Sequence, residues 1–124
     1  MQTKRILVVD DERHMQRLLQ FNLEKTGCVV EMAGSGEAAL AVIDSQTIDL
    51  LLIDLVMPGL DGFATVRELR NRPNGRDIPV IMLTSRGQAD TRGQATGLGI
   101  AAFLTKPFSP IELVAEARKL LGLP

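Results

Sequence analysis

The sequence has a single cysteine, no tryptophan or tyrosine, and almost no net charge, with 14 basic against 15 acidic residues. One cysteine cannot form a disulfide within the chain, so we expect Cys28 to pack as a small apolar side chain. A formal net charge of −1 creates no overall field that would attract nucleic acid or an anionic membrane. We therefore expect neither of these among the direct partners of the chain.

Long apolar runs are also missing from the sequence. No stretch reaches the roughly 20 apolar residues that a membrane-spanning helix needs, and the chain does not begin with a signal-peptide pattern. We therefore expect a cytoplasmic protein. The length of 124 residues and the hydrophobic content of 45% fit one domain over residues 1–124 with a core of aliphatic side chains. No low-complexity linker and no appended output domain are expected within these residues.

Five short apolar runs alternate with five segments of helical periodicity. The apolar runs cover residues 6–9, 29–32, 50–53, 80–83 and 102–104. The fourth predicted helix lies between Gly87 and Gly99, and the fifth begins at Ser109-Pro110. This alternation predicts an α/β fold, a doubly wound parallel sheet with helices on both faces. We predict a flavodoxin-like (βα)5 architecture with strand order 2-1-3-4-5, its charged second strand at one edge.

Polar side chains follow four of the five apolar runs at the point where each run ends. Asp10 and Asp11 follow the first run, Asp54 the third, Thr84 the fourth and Lys106 the fifth. Because the carboxyl ends of parallel strands meet at one edge of a sheet, we expect these five side chains to lie together. Three crowded carboxylates repel one another, which should raise the pKa of at least one of them, and a divalent cation such as Mg²⁺ relieves this repulsion. An acceptor carboxylate with a metal, a hydroxyl and an ammonium group predicts phosphoryl transfer onto Asp54.

The same residues belong to motifs that resemble the signature of the response-regulator receiver domain. The motifs are Asp10-Asp11, Leu52-Ile53-Asp54-Leu55-Val56-Met57-Pro58-Gly59, Thr84-Ser85 and Lys106-Pro107-Phe108. Any one of these motifs alone is a weak signal, but all four occur in the family's order and spacing. The resemblance covers essentially the whole chain.

The resemblance implies a phosphoacceptor site that depends on Mg²⁺. Asp54 would accept a phosphoryl group from a histidine kinase or a histidine phosphotransfer protein. Asp11, Asp54 and the backbone carbonyl of Val56 would hold the Mg²⁺ ion, and Asp10 would act on it through water. The domain would carry a signal rather than turn over a substrate, so the resemblance implies that it is not an enzyme.

The resemblance also implies a switch that links this site to a protein-binding surface. Thr84 and Lys106 would bind the phosphoryl oxygens, and Thr84 would move together with the aromatic residue Phe103. The peptide bond between Lys106 and Pro107 would be cis, a geometry that is accessible before proline. A downstream protein target would bind the surface made by the fourth predicted helix, the fifth strand and the fifth helix. The chain would be either a stand-alone regulator or a receiver cut from a longer one.

Other interpretations of these residues stay open on the sequence alone. Asp10 and Asp11 can cap the first helix, and Phe103 can be an ordinary core residue. The main alternative function is a small phosphatase or phosphotransferase with Asp54 as its nucleophile. Enzymes resembling the haloacid-dehalogenase type have a second acid two residues after the nucleophile. This chain has Val56 there, so it offers no general acid or base at that position. A flavin- or nucleotide-binding module is a weaker alternative, since no glycine-rich phosphate loop follows the first strand.

Two groups of charged side chains are predicted to face solvent. His14 lies near the start of the first helix, and we expect it to be exposed rather than to act as a phosphodonor or metal ligand. Four arginines gather around the third helix and its exit, at positions 67, 70, 72 and 76. Because no aromatic residues are interleaved with them, we interpret them as a solvated face rather than a nucleic-acid interface.

Overall fold

Five strands form one sheet, and four α-helices lie against it in the part of the chain that the structure describes. The structure is a computed structural model, and it describes residues 3–85 and 97–124. The strands are β1 (Arg5–Val9), β2 (Val29–Ala33), β3 (Leu50–Asp54), β4 (Val80–Thr84) and β5 (Ile100–Thr105). The helices are α1 (Arg13–Leu23), α2 (Gly36–Ser45), α3 (Gly62–Arg70) and α4 (Pro110–Leu121). Helix α4 is the fifth helix of the sequence prediction, because the fourth, over 87–99, falls mostly outside the described residues.

The sheet is parallel throughout, with the strand order β2-β1-β3-β4-β5. This order confirms the predicted flavodoxin-like topology. The strand that carries Glu31, β2, lies at one edge, and β5 lies at the other. All five strands therefore end at the same edge of the sheet, where the candidate site residues were expected to meet.

Both faces of the sheet are buried, and successive side chains of each central strand alternate between two cores. In β3, Leu51 and Ile53 pack with residues of α2 and α3, whereas Leu50 and Leu52 pack with residues of α1 and α4. Every residue of β3 and β4 is buried. This two-sided burial explains why these strands read as continuous apolar runs in the sequence. Cys28 is buried in the core on the α1–α4 side, as predicted.

Side-chain caps begin three of the helices, one of them at the predicted Ser109. The hydroxyl of Ser35 accepts a hydrogen bond from the Ala38 amide at 3.0 Å, and the carboxylate of Asp61 accepts one from the Ala64 amide at 2.8 Å. Ser109 caps α4 in the same way, and Pro110 occupies its first position. The longest helix of the described ranges has 12 residues, and none of the helices there is long and apolar enough to cross a bilayer.

Two large apolar residues of the helices lie at the surface. Leu18 on α1 is 40% exposed, and Ile111 on α4 is 84% exposed. The buried positions of α4 are Leu113, Ala117 and Leu121, which recur every four residues. Ile111 precedes Leu113 by two residues, which places it about 200° around the helix from that stripe. Helical spacing alone therefore does not show whether an apolar residue belongs to the buried stripe.

Candidate functional site

Asp54 ends the central strand β3, and its carboxylate is largely buried, with 7% of the residue exposed. One carboxylate oxygen, Oδ1, accepts a hydrogen bond from the Val56 amide at 3.3 Å. The chain then turns into α3, where the Gly62 amide donates to the Leu55 carbonyl at 2.8 Å. A Cβ atom at Gly62 would lie 2.8 Å from the Asp54 carbonyl oxygen, so only glycine allows this close return. The turn that carries Asp54 and Val56 is therefore held against the start of α3.

Asp10 and Asp11 follow β1 and differ in their exposure. Asp10 is completely buried, whereas Asp11 is exposed. The Asp10 amide donates to the Ala33 carbonyl at 3.1 Å, and its Oδ1 accepts a hydrogen bond from the Glu12 amide at 2.9 Å. These contacts leave Oδ2 of Asp10 as a buried oxygen that accepts no hydrogen bond from the described part of the chain.

Lys106 lies between two of the acids. Its Nζ donates a hydrogen bond to Asp54 Oδ2 at 2.9 Å and lies 3.5 Å from Asp10 Oδ2, an ion pair longer than a usual hydrogen bond. Burial alone would lower the pKa of Lys106, but the hydrogen bond to Asp54 and the charges of Asp10 and Asp54 outweigh it and raise this pKa. The Lys106 amide also donates to the Thr84 carbonyl at 2.6 Å, which ties the ends of β4 and β5 together. The peptide bond between Lys106 and Pro107 is cis.

The three carboxylates together fit a divalent cation. Asp10, Asp11 and Asp54 each contribute an oxygen, and these oxygens all lie within 4.8 Å of one another. Burial raises the pKa of Asp10, and the charge of Asp54 adds to this, although the Glu12 amide and Lys106 partly offset it. The expected rise in the pKa of one acid is thus found at Asp10, but burial rather than repulsion is its main cause. A set of oxygen ligands suits a hard cation such as Mg²⁺, and Oδ2 of Asp10 is buried there without a hydrogen bond from the described residues.

The remaining predicted site residues occupy the same edge of the sheet or lead away from it. Thr84 ends β4 and is buried, and Val56 lies in the turn after Asp54 with 67% of the residue exposed. Phe103, in β5, is half-buried and packs against the core on the α2–α3 side. The predicted target-binding surface includes the fourth predicted helix, which lies mostly outside the described residues.

One side chain near the acids was missed in the sequence. Gln16, on α1, donates a hydrogen bond from Nε2 to the Asp10 carbonyl oxygen at 2.7 Å. The residue lies six positions after Asp10 and belongs to no motif. Only its place on the first helix, close behind the acid pair, points toward the site.

Of the charged groups predicted to face solvent, His14 and Arg67 are exposed as expected. The prediction of a solvated side chain is wrong for Arg70. Its guanidinium is half-buried and donates to five backbone carbonyls at 2.7–3.3 Å. Burial lowers the pKa of Arg70, and the charge of Asp77 opposes this. These carbonyls precede β4 and β5, so Arg70 acts at the edge of the sheet opposite the acids.

With this geometry established, comparisons with known proteins identify the family. A family model described as the response regulator receiver domain matches residues 6–118. This chain belongs to the response regulator receiver family. Over 118 residues the receiver is 42% identical to a probable transcriptional regulator, ycf27, of Cyanophora paradoxa, a match that covers 95% of this chain and 48% of that protein. The chain spans about half the length of the curated relatives it matches.

Solved structures share the fold over almost the whole receiver. The chemotaxis protein CheY4 of Vibrio cholerae is 28% identical with a TM-score of 0.91, and the match covers 97% of this chain and 100% of that one. The receiver domain of the sensor histidine kinase PA1611 from Pseudomonas aeruginosa is 30% identical with a TM-score of 0.88, covering 98% and 99%. The latter structure has a magnesium ion coordinated in its active-site cleft. The fold is therefore that of a receiver from two-component signalling.

The raised pKa of Asp10 predicts that the metal-free receiver becomes more stable when this charge is removed. Because the pKa of Asp10 is higher in the folded state than its ordinary value of 3.8, ionising the carboxyl disfavours folding above that pH. We expect Asp10→Asn to raise the free energy of unfolding by about 1 kcal/mol at neutral pH, measured by urea denaturation with a chelator present. The gain should shrink as the pH falls through the raised pKa of the folded carboxyl, and it should be gone below the ordinary value of 3.8, where both states hold the proton.

Asp61→Asn is the matched control for this prediction. Asp61 is exposed, and asparagine caps a helix about as well as aspartate, so the free energy of unfolding should change by a few tenths of a kcal/mol. A less stable Asp10→Asn receiver at neutral pH would contradict the prediction.

Proposed function

We propose that this receiver accepts a phosphoryl group on Asp54 from a histidine kinase or a histidine phosphotransfer protein. The observation that carries the proposal is the position of Lys106, whose Nζ lies 2.9 Å from an oxygen of Asp54 and 3.5 Å from one of Asp10. In the transfer, an Asp54 carboxylate oxygen forms a bond to phosphorus while the bond from phosphorus to the histidine nitrogen breaks. The imidazole nitrogen keeps that electron pair. Nothing else must change covalently, so the work of the site is positioning and charge balance.

The proposal includes a Mg²⁺ ion held by Asp11, Asp54 and the backbone carbonyl of Val56, with Asp10 acting on it through water. Clustered carboxylate oxygens, the buried Oδ2 of Asp10 and the magnesium ion in the PA1611 receiver support this choice. The ion, when bound, would neutralise negative charge on the carboxylates and on the incoming phosphoryl group. In the same proposal, Lys106 and the Thr84 hydroxyl bind the phosphoryl oxygens.

Phosphorylation of Asp54 is proposed to act on partners through Thr84 and Phe103. The carbonyl of Thr84 accepts a hydrogen bond from the Lys106 amide, and the half-buried Phe103 lies in β5 beside the buried Leu104. A phosphoryl group that engages Thr84 and Lys106 would change the ends of both strands, and we place the downstream protein target on the surface that includes β5. The single domain over residues 1–124 would act in the cytoplasm, as response regulators typically do, as a signal carrier rather than an enzyme.

A stoichiometry measurement separates this function from the alternative phosphatase or phosphotransferase. The wild-type receiver is incubated with a small phosphodonor such as acetyl phosphate and Mg²⁺, and bound and released phosphate are both counted over time. We expect bound phosphate to approach one per molecule. Free phosphate should be released no faster than the labelled protein loses its label. Repeated turnover without accumulation of labelled protein would favour the enzyme.

A further inference from the structure

The backbone turn that carries Asp10 and Asp11 is held by a side chain from the second turn of α1. Gln16 Nε2 donates a hydrogen bond to the Asp10 carbonyl oxygen at 2.7 Å. Gln16 is half-buried, and its backbone amide donates at 3.0 Å to the carbonyl of Glu12, the residue just before α1. The donor is therefore fixed to α1, while the acceptor lies just beyond the end of β1, which is Val9.

This hydrogen bond controls the orientation of one peptide unit. The carbonyl of Asp10 and the amide of Asp11 belong to the same rigid plane, so fixing the oxygen fixes how the chain enters Asp11. Asp10 itself is held by its amide, which donates to Ala33, and by Oδ1, which accepts from Glu12. Asp11 is exposed, and no contact of its side chain fixes its direction within the described residues. Its carboxylate position relative to Asp10 and Asp54 thus depends on the peptide plane that Gln16 orients.

We infer that Gln16 is a positioning residue that sets the Mg²⁺ affinity of the receiver by orienting the Asp10–Asp11 peptide. The inference rests on the proposed function, because it assumes that the acids hold Mg²⁺. Groups that orient metal ligands without touching the metal commonly change affinity 10- to 100-fold when they are removed. Gln16 would orient the acids through the backbone, because it bonds to the carbonyl of Asp10 and not to a carboxylate.

The test measures Mg²⁺ affinity by calorimetric titration, separately from the melting temperature in a chelator. Gln16→Met keeps the length and helix propensity of the side chain but removes the donor, and Gln16→Asn keeps the amide but shortens it by one methylene. We expect both variants to bind Mg²⁺ about 10-fold more weakly than the wild type. Gln20→Met is the control, because Gln20 is also half-buried and lies one turn further along α1. It should bind Mg²⁺ within about twofold of the wild type, as expected for a residue whose side chain does not reach the acids.

The outcomes distinguish this inference from the proposed function. If the wild type binds Mg²⁺ and both Gln16 variants bind it equally well, Gln16 only stabilises the fold and the inference is wrong, whatever the melting temperatures show. Equal weakening by Gln20→Met would also overturn it, because the effect would then belong to α1 as a whole. If the wild type itself fails to bind Mg²⁺, the proposed function fails first.

Discussion

Lys106→Met is expected to slow phosphorylation of the receiver by about 100-fold and to destabilise its metal-free form by about 3 kcal/mol. Lys106 Nζ lies 2.9 Å from Asp54 and 3.5 Å from Asp10, and the Asp10 side chain is completely buried. Without the ammonium group, two carboxylates face each other in a poorly solvated site with no cation beside them. Methionine keeps most of the apolar stem, so the loss reports the charge rather than the packing. Labelling rates with a small phosphodonor and urea denaturation in a chelator measure the two effects.

The stability effect of Lys106 should depend on its acid partners. In the Asp10→Asn background, Lys106→Met should destabilise the receiver by less than it does in the wild type, because one of the two facing charges is already gone. Lys119→Met serves as the control, since that side chain is 76% exposed and its contact with Glu116 is 4.0 Å long. Equal losses of stability in both backgrounds would show that Lys106 and Asp10 do not interact.

Arg70→Met is expected to lower the free energy of unfolding by about 3 kcal/mol, with no direct effect on the acids. The guanidinium donates to the carbonyls of the loop before β4 and of Leu98 and Gly99 before β5. Gly75 and Ile78 are buried, so their carbonyls would keep most of their desolvation penalty without the donor, whereas the exposed carbonyls of Arg76 and Gly99 can turn to water. Urea denaturation of the wild type and the variant gives the difference directly.

Two further variants make the Arg70 prediction specific. Arg67→Met removes an exposed arginine one turn earlier on α3 and should change the stability by less than about 0.5 kcal/mol. Arg70→Lys keeps the charge but concentrates its donors on one nitrogen, which cannot reach carbonyls on two sides, so it should recover less than half of the loss. A wild-type-like stability of Arg70→Met would mean that solvent replaces the guanidinium at these carbonyls.

The strand order and the meeting of the acids followed from the sequence because both depend on simple regularities. Continuous apolar runs such as Leu50–Ile53 indicate strands that are buried on both faces, and parallel strands bring their carboxyl ends to one edge. Asp10, Asp11, Asp54 and Lys106 therefore came together although they are far apart in the chain. The caps at Ser35, Asp61 and Ser109 were predictable for the same reason, since they satisfy local amides.

The roles of Arg70 and Gln16 were not predictable, because both side chains donate to backbone carbonyls. Any polar residue near a loop can do this, and a single sequence does not show which carbonyls lack a partner. Helical spacing likewise placed Leu18 and Ile111 on helices but did not show that they lie outside the buried stripes. Such details depend on how α1 and α4 rotate against the sheet, which tertiary packing decides.

The most direct test of the phosphoacceptor site is the location of the incorporated phosphoryl group and its dependence on Mg²⁺. The wild type, Asp54→Asn and Asp61→Asn are incubated with a small phosphodonor, with Mg²⁺ or with a chelator, and the label is mapped by mass spectrometry of the peptides. We predict label on Asp54 in the wild type and Asp61→Asn only when Mg²⁺ is present, and none in Asp54→Asn. Label of equal extent in Asp54→Asn, or label that persists in the chelator, would contradict the account.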